Sequence, residues 1–121
     1  MTVQGTRMEV AYNSPIYLIS LEPSTIKNKK WKAVFKSNEY KHKTVHFGDS
    51  RYEDYTQHKN YYRMELYQKR HKNDRLRDPT SAGALSYFIL WTRPDFRDGL
   101  INYLNHFNIK TTHSVEKEFN L

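Results

Sequence analysis

Hydrophobic and polar side chains alternate along two stretches in the first half of the chain. Residues 30–36 have lysine at most positions of one face and apolar side chains on the other, namely Trp31, Ala33 and Phe35. Residues 43–47 alternate in the same way. A period of two is typical of strands with one buried face. Because a polar turn separates the two stretches, we predict an antiparallel hairpin with a basic outer face.

In the second half of the chain the apolar spacing becomes helical. Residues 60–72 contain no glycine or proline and are rich in residues that favour helices. A second helix is predicted to begin within Asp78-Pro79-Thr80-Ser81, where Asp, Thr and Ser are cap residues and Pro fits the first turn, and to end before Pro94. A third is predicted to follow Thr92, which resembles an N-cap with an acid three positions on. Strands followed by helices indicate an α+β fold, with one or more small N-terminal antiparallel β-hairpins packed on three C-terminal helices.

The length of 121 residues fits one domain with a lead-in and a tail. Two β-prone stretches divided by a turn signal open the chain. We predict residues 1–26 as an extended arm or a hairpin, two alternatives that the sequence leaves open. Residues 27–108 are predicted to form the single compact domain. Residues 109–121 are polar and are predicted to be a C-terminal tail.

Positive charge is concentrated in the middle of the chain, although the formal net charge of the whole is only +7. Residues 27–77 contain 15 Lys and Arg against 6 Asp and Glu, a balance of +9, whereas the rest of the chain has 5 against 7, a balance of −2. Such a field attracts nucleic acid, anionic lipid headgroups or an acidic protein surface. The alternative is a solvated basic surface that keeps the protein soluble.

Composition and motifs argue against catalysis, metal binding and membrane insertion. The chain has no cysteine, which excludes disulfides, thiolate zinc sites and cysteine nucleophiles. Its six histidines lack metal-ligand spacing, and no GxSxG, P-loop or GxGxxG motif is present. No stretch approaches the roughly 18 apolar residues of a transmembrane segment. We therefore expect a protein that is not an enzyme, with no catalytic residue, no metal and no cofactor.

Tyrosines and cations interleave between residues 51 and 72. Cations bind phosphates and aromatic rings stack on bases, so this pattern favours nucleic-acid binding. The candidate residues for binding a polyanion or another partner are Lys59, Arg63, Lys69, Arg70 and Lys72. In the competing interpretation, alternate tyrosines face the core and the cations only face water. The candidate structural residues, expected to shape turns, caps and corners of the fold, are Gly48, Tyr52, Asp54, Tyr55, Trp91 and Pro94.

An ordered series of short motifs runs through residues 31–107. It consists of Phe47-Gly48 at a strand end, a Tyr-x-Asp-Tyr-Thr-x-His-Lys box at residues 52–59, the pair Arg70-His71, the small residues 81–83, and Leu90-Trp91 followed by Pro94. This series resembles a small uncharacterised protein family of large nucleocytoplasmic DNA viruses, of the chlorella-virus and mimivirus type. The resemblance implies a virus-encoded protein that is not an enzyme.

The resemblance and the basic, tyrosine-rich middle of the chain lead to two expectations. The first is a virion structural protein, a minor capsid or capsid-associated component, located in the virion and in the host cytoplasm during assembly. Its partners would be other capsid or virion proteins, and DNA or an anionic membrane surface are further candidates for contact with the basic surface. The second is a virus-encoded nucleic-acid-binding protein that uses the basic, tyrosine-rich helix.

Overall fold

A four-stranded sheet forms one layer of the fold. The computed structural model describes residues 15–38 and 40–121, without the side chains of residues 40 and 41. The strands are β1 (Ile16–Pro23), β2 (Lys29–Ser37), β3 (Tyr40–Asp49) and the short β4 (Lys110–Thr111). Their spatial order is β3-β2-β1-β4. The pairs β1–β2 and β2–β3 are antiparallel, whereas β4 pairs parallel to the start of β1.

Helices form the second layer. The described residues contain α1 (Tyr55–His58), α2 (Tyr61–Arg70), α3 (Ala82–Leu85), α4 (Phe96–Phe107) and α5 (His113–Phe119). α3 continues directly into a π-helical turn, Ser86–Leu90. Within the described part of the chain, no helix has the length and apolar character needed to cross a bilayer. The predicted α+β class is confirmed, although β4 lies between α4 and α5, so the helices do not all follow the sheet in sequence.

Most of the predicted elements are confirmed, but one predicted cap is wrong. The hairpin is formed by β2 and β3, and Ser81 caps α3 by accepting a hydrogen bond from the Ala84 amide at 3.1 Å. Thr92 does not cap α4, because its hydroxyl donates to the Phe88 carbonyl at 2.6 Å. Asp95 takes that place and accepts from the amides of Arg97 and Asp98. The first of the two β-prone stretches that open the chain, residues 7–12, lies outside the described residues.

The core lies between one face of the sheet and the helices. Leu18 faces Phe35 and Leu21 faces Ala33 across β1 and β2, and these four side chains are at most 1% exposed. Burying a large apolar side chain contributes about 1.5–3 kcal/mol. The helices complete this core with Leu85, Ile89, Leu100, Tyr103 and Val115.

α4 packs against the π-helical turn through a glycine. A Cβ atom at Gly99 would lie 2.1 Å from the carbonyl oxygen of Ile89, closer than any side chain tolerates. Near the start of α3, the Tyr103 hydroxyl donates to the Pro79 carbonyl at 2.5 Å. These two contacts fix the α3 segment against α4, and so they determine the position of Trp91, which follows the π-helical turn.

The residues predicted as arm and tail contribute to the same packed unit as the rest of the chain. β1 belongs to the predicted arm, yet its Leu18 and Leu21 side chains are buried in the core. In the predicted tail, α5 buries Val115, and the Arg97 guanidinium donates to the Asn120 carbonyl at 2.9 and 2.6 Å. The apolar residues on both sides of the predicted boundaries therefore share one interior.

Candidate functional site

A cleft of about 580 Å³ opens between the end of β3, α2 and α3. This volume falls within the range of about 300–1,000 Å³ typical of small-molecule sites. One wall is a single face of α2, made by Arg63, Leu66, Tyr67 and Arg70. Tyr52 and Glu53 line the cleft from the segment after β3, and Ala82, Ser86 and Leu90 line it from α3 and the π-helical turn. It is termed the α2 cleft below.

Gly48 brings the end of β3 against the π-helical turn. Its φ of +81° lies in the left-handed region that favours glycine. Its amide donates to the Ser86 hydroxyl oxygen at 3.1 Å. A Cβ atom there would lie 3.0 Å from the Leu90 Cδ1 atom. The chain therefore leaves the strand where these two elements touch, and Gly48 itself lines the α2 cleft.

Asp54 fixes α1 at the side of the α2 cleft. Its carboxylate accepts from the Thr56 amide at 2.9 Å, and the Gln57 side chain accepts from the Asp54 amide at 2.9 Å, which completes a capping box. The Lys30 ammonium donates to Asp54 Oδ2 at 2.6 Å and to Gln57 Oε1 at 2.5 Å. The Asp54 side chain is only 4% exposed. Asp54 and the buried ring of Tyr55 beside it therefore serve the fold.

Lys59, which was predicted to bind a partner, makes contacts within the fold. It is the C-cap of α1, in the left-handed conformation with φ 55°. Its ammonium donates to the Thr56 carbonyl at 3.0 Å and to the Pro94 carbonyl at 2.6 Å. Lys59 thus links α1 to the segment before α4, and Pro94 takes part in the fold as the acceptor of that link. Two of the three N–H groups of the Lys59 ammonium are engaged within the fold, so the other four predicted cations are the stronger candidates for binding.

Three aromatic rings form a stack beside the cleft. The ring of Tyr67 lies 4.1 Å from that of Trp91 with 2° between the planes, and 4.0 Å from that of His71 with 21°. Burial raises the pKa of the Tyr67 phenol above its usual range, and the charges of Asp74 and Asp54 raise it further. The phenol is therefore protonated at neutral pH, and both faces of its ring are covered.

His58 also contacts Trp91, with 5.4 Å between the ring centroids. Its Nδ1 atom accepts from the Asn60 amide at 2.9 Å, and its Nε2 atom is buried without a hydrogen-bond partner in the described structure. Burial lowers the pKa of the imidazole, and the positive charge of Arg63 lowers it further. His58 is therefore mainly neutral at pH 7 and acts as an acceptor in the turn between α1 and α2.

Three close pairs engage most of the carboxylates that line the α2 cleft, namely Asp54 with Lys30, Asp49 with Arg51 and Asp74 with His71. Hydrogen bonds from Arg51 lower the pKa of Asp49 to about 2. The side chains of Lys29, Arg63, Arg70 and Glu53 line the cleft without a hydrogen bond or ion pair to any described residue. Among the lining side chains without such a partner, three are therefore cationic and one is acidic.

Three of the tyrosines interleaved with cations are exposed. Tyr52 and Tyr62 are each 68% exposed and Tyr61 is 55% exposed. The four remaining candidate cations are also exposed and pair with no described residue. Together with two of these tyrosines they are termed the α2 surface, which comprises Tyr61, Tyr62, Arg63, Lys69, Arg70 and Lys72. The interpretation that alternate tyrosines face the core holds for Tyr55, at 9% exposure, and not for these three.

The structure brings some of the predicted site residues together and separates others. Arg63 and Arg70 line the α2 cleft with Gly48, Tyr52, Asp54 and Trp91. Tyr52, predicted as a structural residue, covers no core because its ring points to solvent at the cleft. Lys72 lines a second depression, formed by residues 72 and 74–78. Lys69 lies seven residues after Tyr62 on α2, on the same helix face.

Sequence reasoning missed several residues of the cleft. Glu53, His71, Asp74 and Ser86 were not candidates, yet all of them line it. The spacing of His71 and Asp74, three residues apart, is one signal that indicates a local pair. No local signal indicates the contact of Lys30 with Asp54, which lies 24 residues away. No three histidine or acidic side chains in the described residues are placed to hold a metal ion.

A family model matches part of the chain. It describes a family of unknown function, DUF5754, and it matches residues 19–71. This segment runs from β1 to the end of α2, so it contains the α1 cap and the α2 wall of the cleft but not Trp91. No curated protein and no solved structure matches the chain. The chain is thus similar to this family over most of β1, over β2 and β3, and over the first two helices.

Proposed function

We propose that the protein is a non-enzymatic binding protein for single-stranded nucleic acid and that the α2 surface makes the contact. The observation that carries this proposal is the exposure of Tyr61 and Tyr62 on α2 beside four cations that pair with no described residue, three on the same helix and Lys72 just after it. Neither feature is needed for the core, because the ring that α2 packs inward is Tyr67. Tyrosines and cations together match the chemistry of a flexible polyanion that carries aromatic bases.

Each part of the α2 surface suits one part of a nucleic-acid strand. Arginine and lysine side chains neutralise phosphates and release bound counterions, which makes binding depend on salt. Tyrosine rings stack on bases, and each stacked base contributes about 1–3 kcal/mol. The bases of a duplex are already paired and stacked on each other. Exposed Tyr61 and Tyr62 therefore favour single strands over duplexes.

The fold holds α2 rigidly from its inner side. The Asn60 side chain caps the helix by accepting from the Arg63 amide at 3.0 Å. Met64 is 9% exposed, and the Gln68 side chain donates to the Trp91 carbonyl at 2.8 Å. The residues on the outward side of α2 make no such contacts with the rest of the described fold. The cations in the last turn of α2 also interact favourably with the helix dipole. This effect does not explain the exposed tyrosines in the first turn.

Titration with a labelled oligonucleotide tests the proposal. We expect the full chain to bind the single strand more tightly than the matching duplex. The double variant Tyr61→Ala/Tyr62→Ala should lose most of this preference, whereas the control Tyr17→Ala, at a tyrosine that is 41% exposed on β1, should keep it. Equal affinity for both nucleic acids, or full binding by the double variant, removes the proposal.

The motif resemblance supports a second proposal, a structural role in the virion of a large DNA virus. In this role the protein is a minor capsid or capsid-associated component, present in the host cytoplasm during assembly. Its basic surface would face acidic shell proteins, an anionic membrane surface or packaged DNA. Exposed apolar side chains such as Ile26, at 51% exposure, offer contacts to neighbouring subunits. Mass spectrometry of purified particles tests this role, and absence of the protein from them rules it out.

A further inference from the structure

We propose that the α2 cleft binds one nucleotide, with its phosphate beside Arg63, Tyr67 and Arg70 and its base against Tyr52. The proposal rests on the proposed function and deepens it, because it names the part of a bound strand that enters the cleft. The volume of about 580 Å³ is within the range of small-molecule sites. The three cations of the cleft that pair with no described residue favour an anionic ligand.

The α2 wall supplies the donors for a phosphate. Arg63 and Arg70 stand about 10 Å apart along the helix axis, at about 1.5 Å per residue, with Tyr67 between them on the same face. Both guanidinium groups make no hydrogen bond to a described residue, and the same is true of the Tyr67 hydroxyl. Because burial raises the pKa of the phenol, this hydroxyl stays a hydrogen-bond donor. Guanidinium groups match phosphate geometry well.

The residues after β3 supply the contacts for a base. Tyr67 and Trp91 cover each other's ring faces, so neither offers a free face on that side of the stack. Tyr52 lines the same cleft, and its ring is 68% exposed. The neighbouring Glu53 carboxylate pairs with no described residue. It can therefore accept hydrogen bonds from the amino group of adenine, guanine or cytosine.

The apolar lining of the cleft suits the sugar that joins the phosphate to the base. Leu66 lines the cleft from α2, and Leu90 lines it from the π-helical turn. Binding sites for small molecules combine such apolar surface with a few polar groups that fix the orientation of the ligand. The cleft therefore has donors for the phosphate, apolar surface for the sugar, and an exposed ring with an acceptor for the base.

Calorimetric titration of the full chain with AMP, adenosine and inorganic phosphate tests the cleft. We expect AMP to bind more tightly than either fragment. Tyr67→Phe keeps the aromatic stack and removes one donor to a charged group, so it should weaken AMP binding about tenfold. The control Tyr17→Phe, at an exposed tyrosine on β1 outside both the cleft and the α2 surface, should bind AMP like the wild type. Glu53→Gln should weaken AMP binding and leave phosphate binding unchanged.

Two results overturn the cleft proposal. One is the absence of AMP binding at millimolar concentration. The other is equal AMP affinity of the wild type and a Tyr67→Phe variant with an unchanged unfolding temperature.

The two proposals can fail separately. Oligonucleotide binding without AMP binding removes the cleft proposal alone. AMP binding that depends on the Tyr67 hydroxyl, without oligonucleotide binding, removes the proposed function and leaves a site for free nucleotides. Where both bind, displacement of the oligonucleotide by AMP shows that the cleft holds one nucleotide of the bound strand. Simultaneous binding of the two shows that the cleft holds a free nucleotide instead.

Discussion

The ring of Tyr67 lies flat on the indole of Trp91, with 4.1 Å between the centroids and 2° between the planes. This contact attaches α2 to the segment that joins the π-helical turn to α4, together with the hydrogen bond from Gln68 to the Trp91 carbonyl. The inner face of α2 is therefore committed to the fold. Its outward tyrosines and its cations are the groups available to a partner.

The Tyr67–Trp91 contact predicts a measurable coupling. In a double-mutant cycle with Tyr67→Ala and Trp91→Ala, we expect the two changes to be non-additive by about 0.5–1.5 kcal/mol, the usual contribution of an aromatic pair beyond its buried area. Urea unfolding of the four proteins measures it. A parallel cycle of Trp91 with the exposed Tyr62 should give additive values. Additive losses for Tyr67 and Trp91 would show that the stack adds nothing to stability.

Gly99 predicts a large effect from a single methyl group. In a helix, Gly→Ala usually gains about 1 kcal/mol. Here the new Cβ would lie 2.1 Å from the Ile89 carbonyl oxygen, so α4 and the π-helical turn must separate. We expect Gly99→Ala to lower the free energy of unfolding by at least about 2 kcal/mol. Asn105→Ala, on the exposed side of α4, is the control, and equal stability of both variants contradicts the packing described here.

Asp54 predicts a difference between two substitutions at one position. Asp54→Ala removes the cap of α1 and leaves the Lys30 ammonium, 13% exposed, without its carboxylate partner, so we expect a loss of about 3 kcal/mol. Asp54→Asn keeps an oxygen for the Thr56 amide and should lose less. Thermal or chemical unfolding compares the stability of these two variants with that of the control Glu53→Ala, at an exposed neighbouring position. If all three are equally stable, Asp54 does not hold α1.

His58 predicts a pH dependence of stability. Because its pKa is lowered in the folded protein, the unfolded chain takes up a proton first as the pH falls. Its contribution is therefore fully present above about pH 6.5, the ordinary value for histidine, and is lost below it. His58→Asn keeps an acceptor for the Asn60 amide and removes this titration. We expect the variant to lose less stability than the wild type between pH 7.5 and about pH 5.5. Parallel curves for the two proteins would contradict the burial of His58.

Local patterns in the sequence indicated most of the elements but not the cleft, and they missed α1 as well as β4 and α5, which lie in the predicted polar tail. Alternation at Trp31, Ala33 and Phe35 correctly indicates a strand with one buried face, since strand periodicity is a property of neighbouring residues. The pattern of Thr92 with an acid three positions on indicates Thr92 as the cap of α4, but packing makes Asp95 the cap instead. The contact of Gly99 with Ile89 depends on tertiary structure and leaves no sequence signal beyond the glycine.

The candidate site was predicted only in part for the same reason. A basic, tyrosine-rich helix is visible in the sequence, and Arg63 and Arg70 do share one helix face. The sequence does not distinguish a free cation from an engaged one. Lys59 belongs to the same basic stretch, but its ammonium is held by the Pro94 carbonyl, 35 residues away. Tyr52 and Tyr55 belong to the same motif, and only the packing of α1 decides that one is exposed and the other buried.

The salt dependence of oligonucleotide binding tests the central claim, that the unpaired cations of the α2 surface meet a polyanion. For a single strand, the logarithm of the binding constant falls with the logarithm of salt by about 0.7 per neutralised phosphate, so four cations predict a slope of about −3. Arg63→Glu/Arg70→Glu should weaken binding and flatten this slope. The control Lys36→Glu/Lys110→Glu changes the net charge equally at exposed positions outside α2 and should preserve both affinity and slope. Equal losses of affinity in the two double variants would contradict the assignment of α2 as the binding surface. So would a wild-type protein that does not bind the oligonucleotide at low salt.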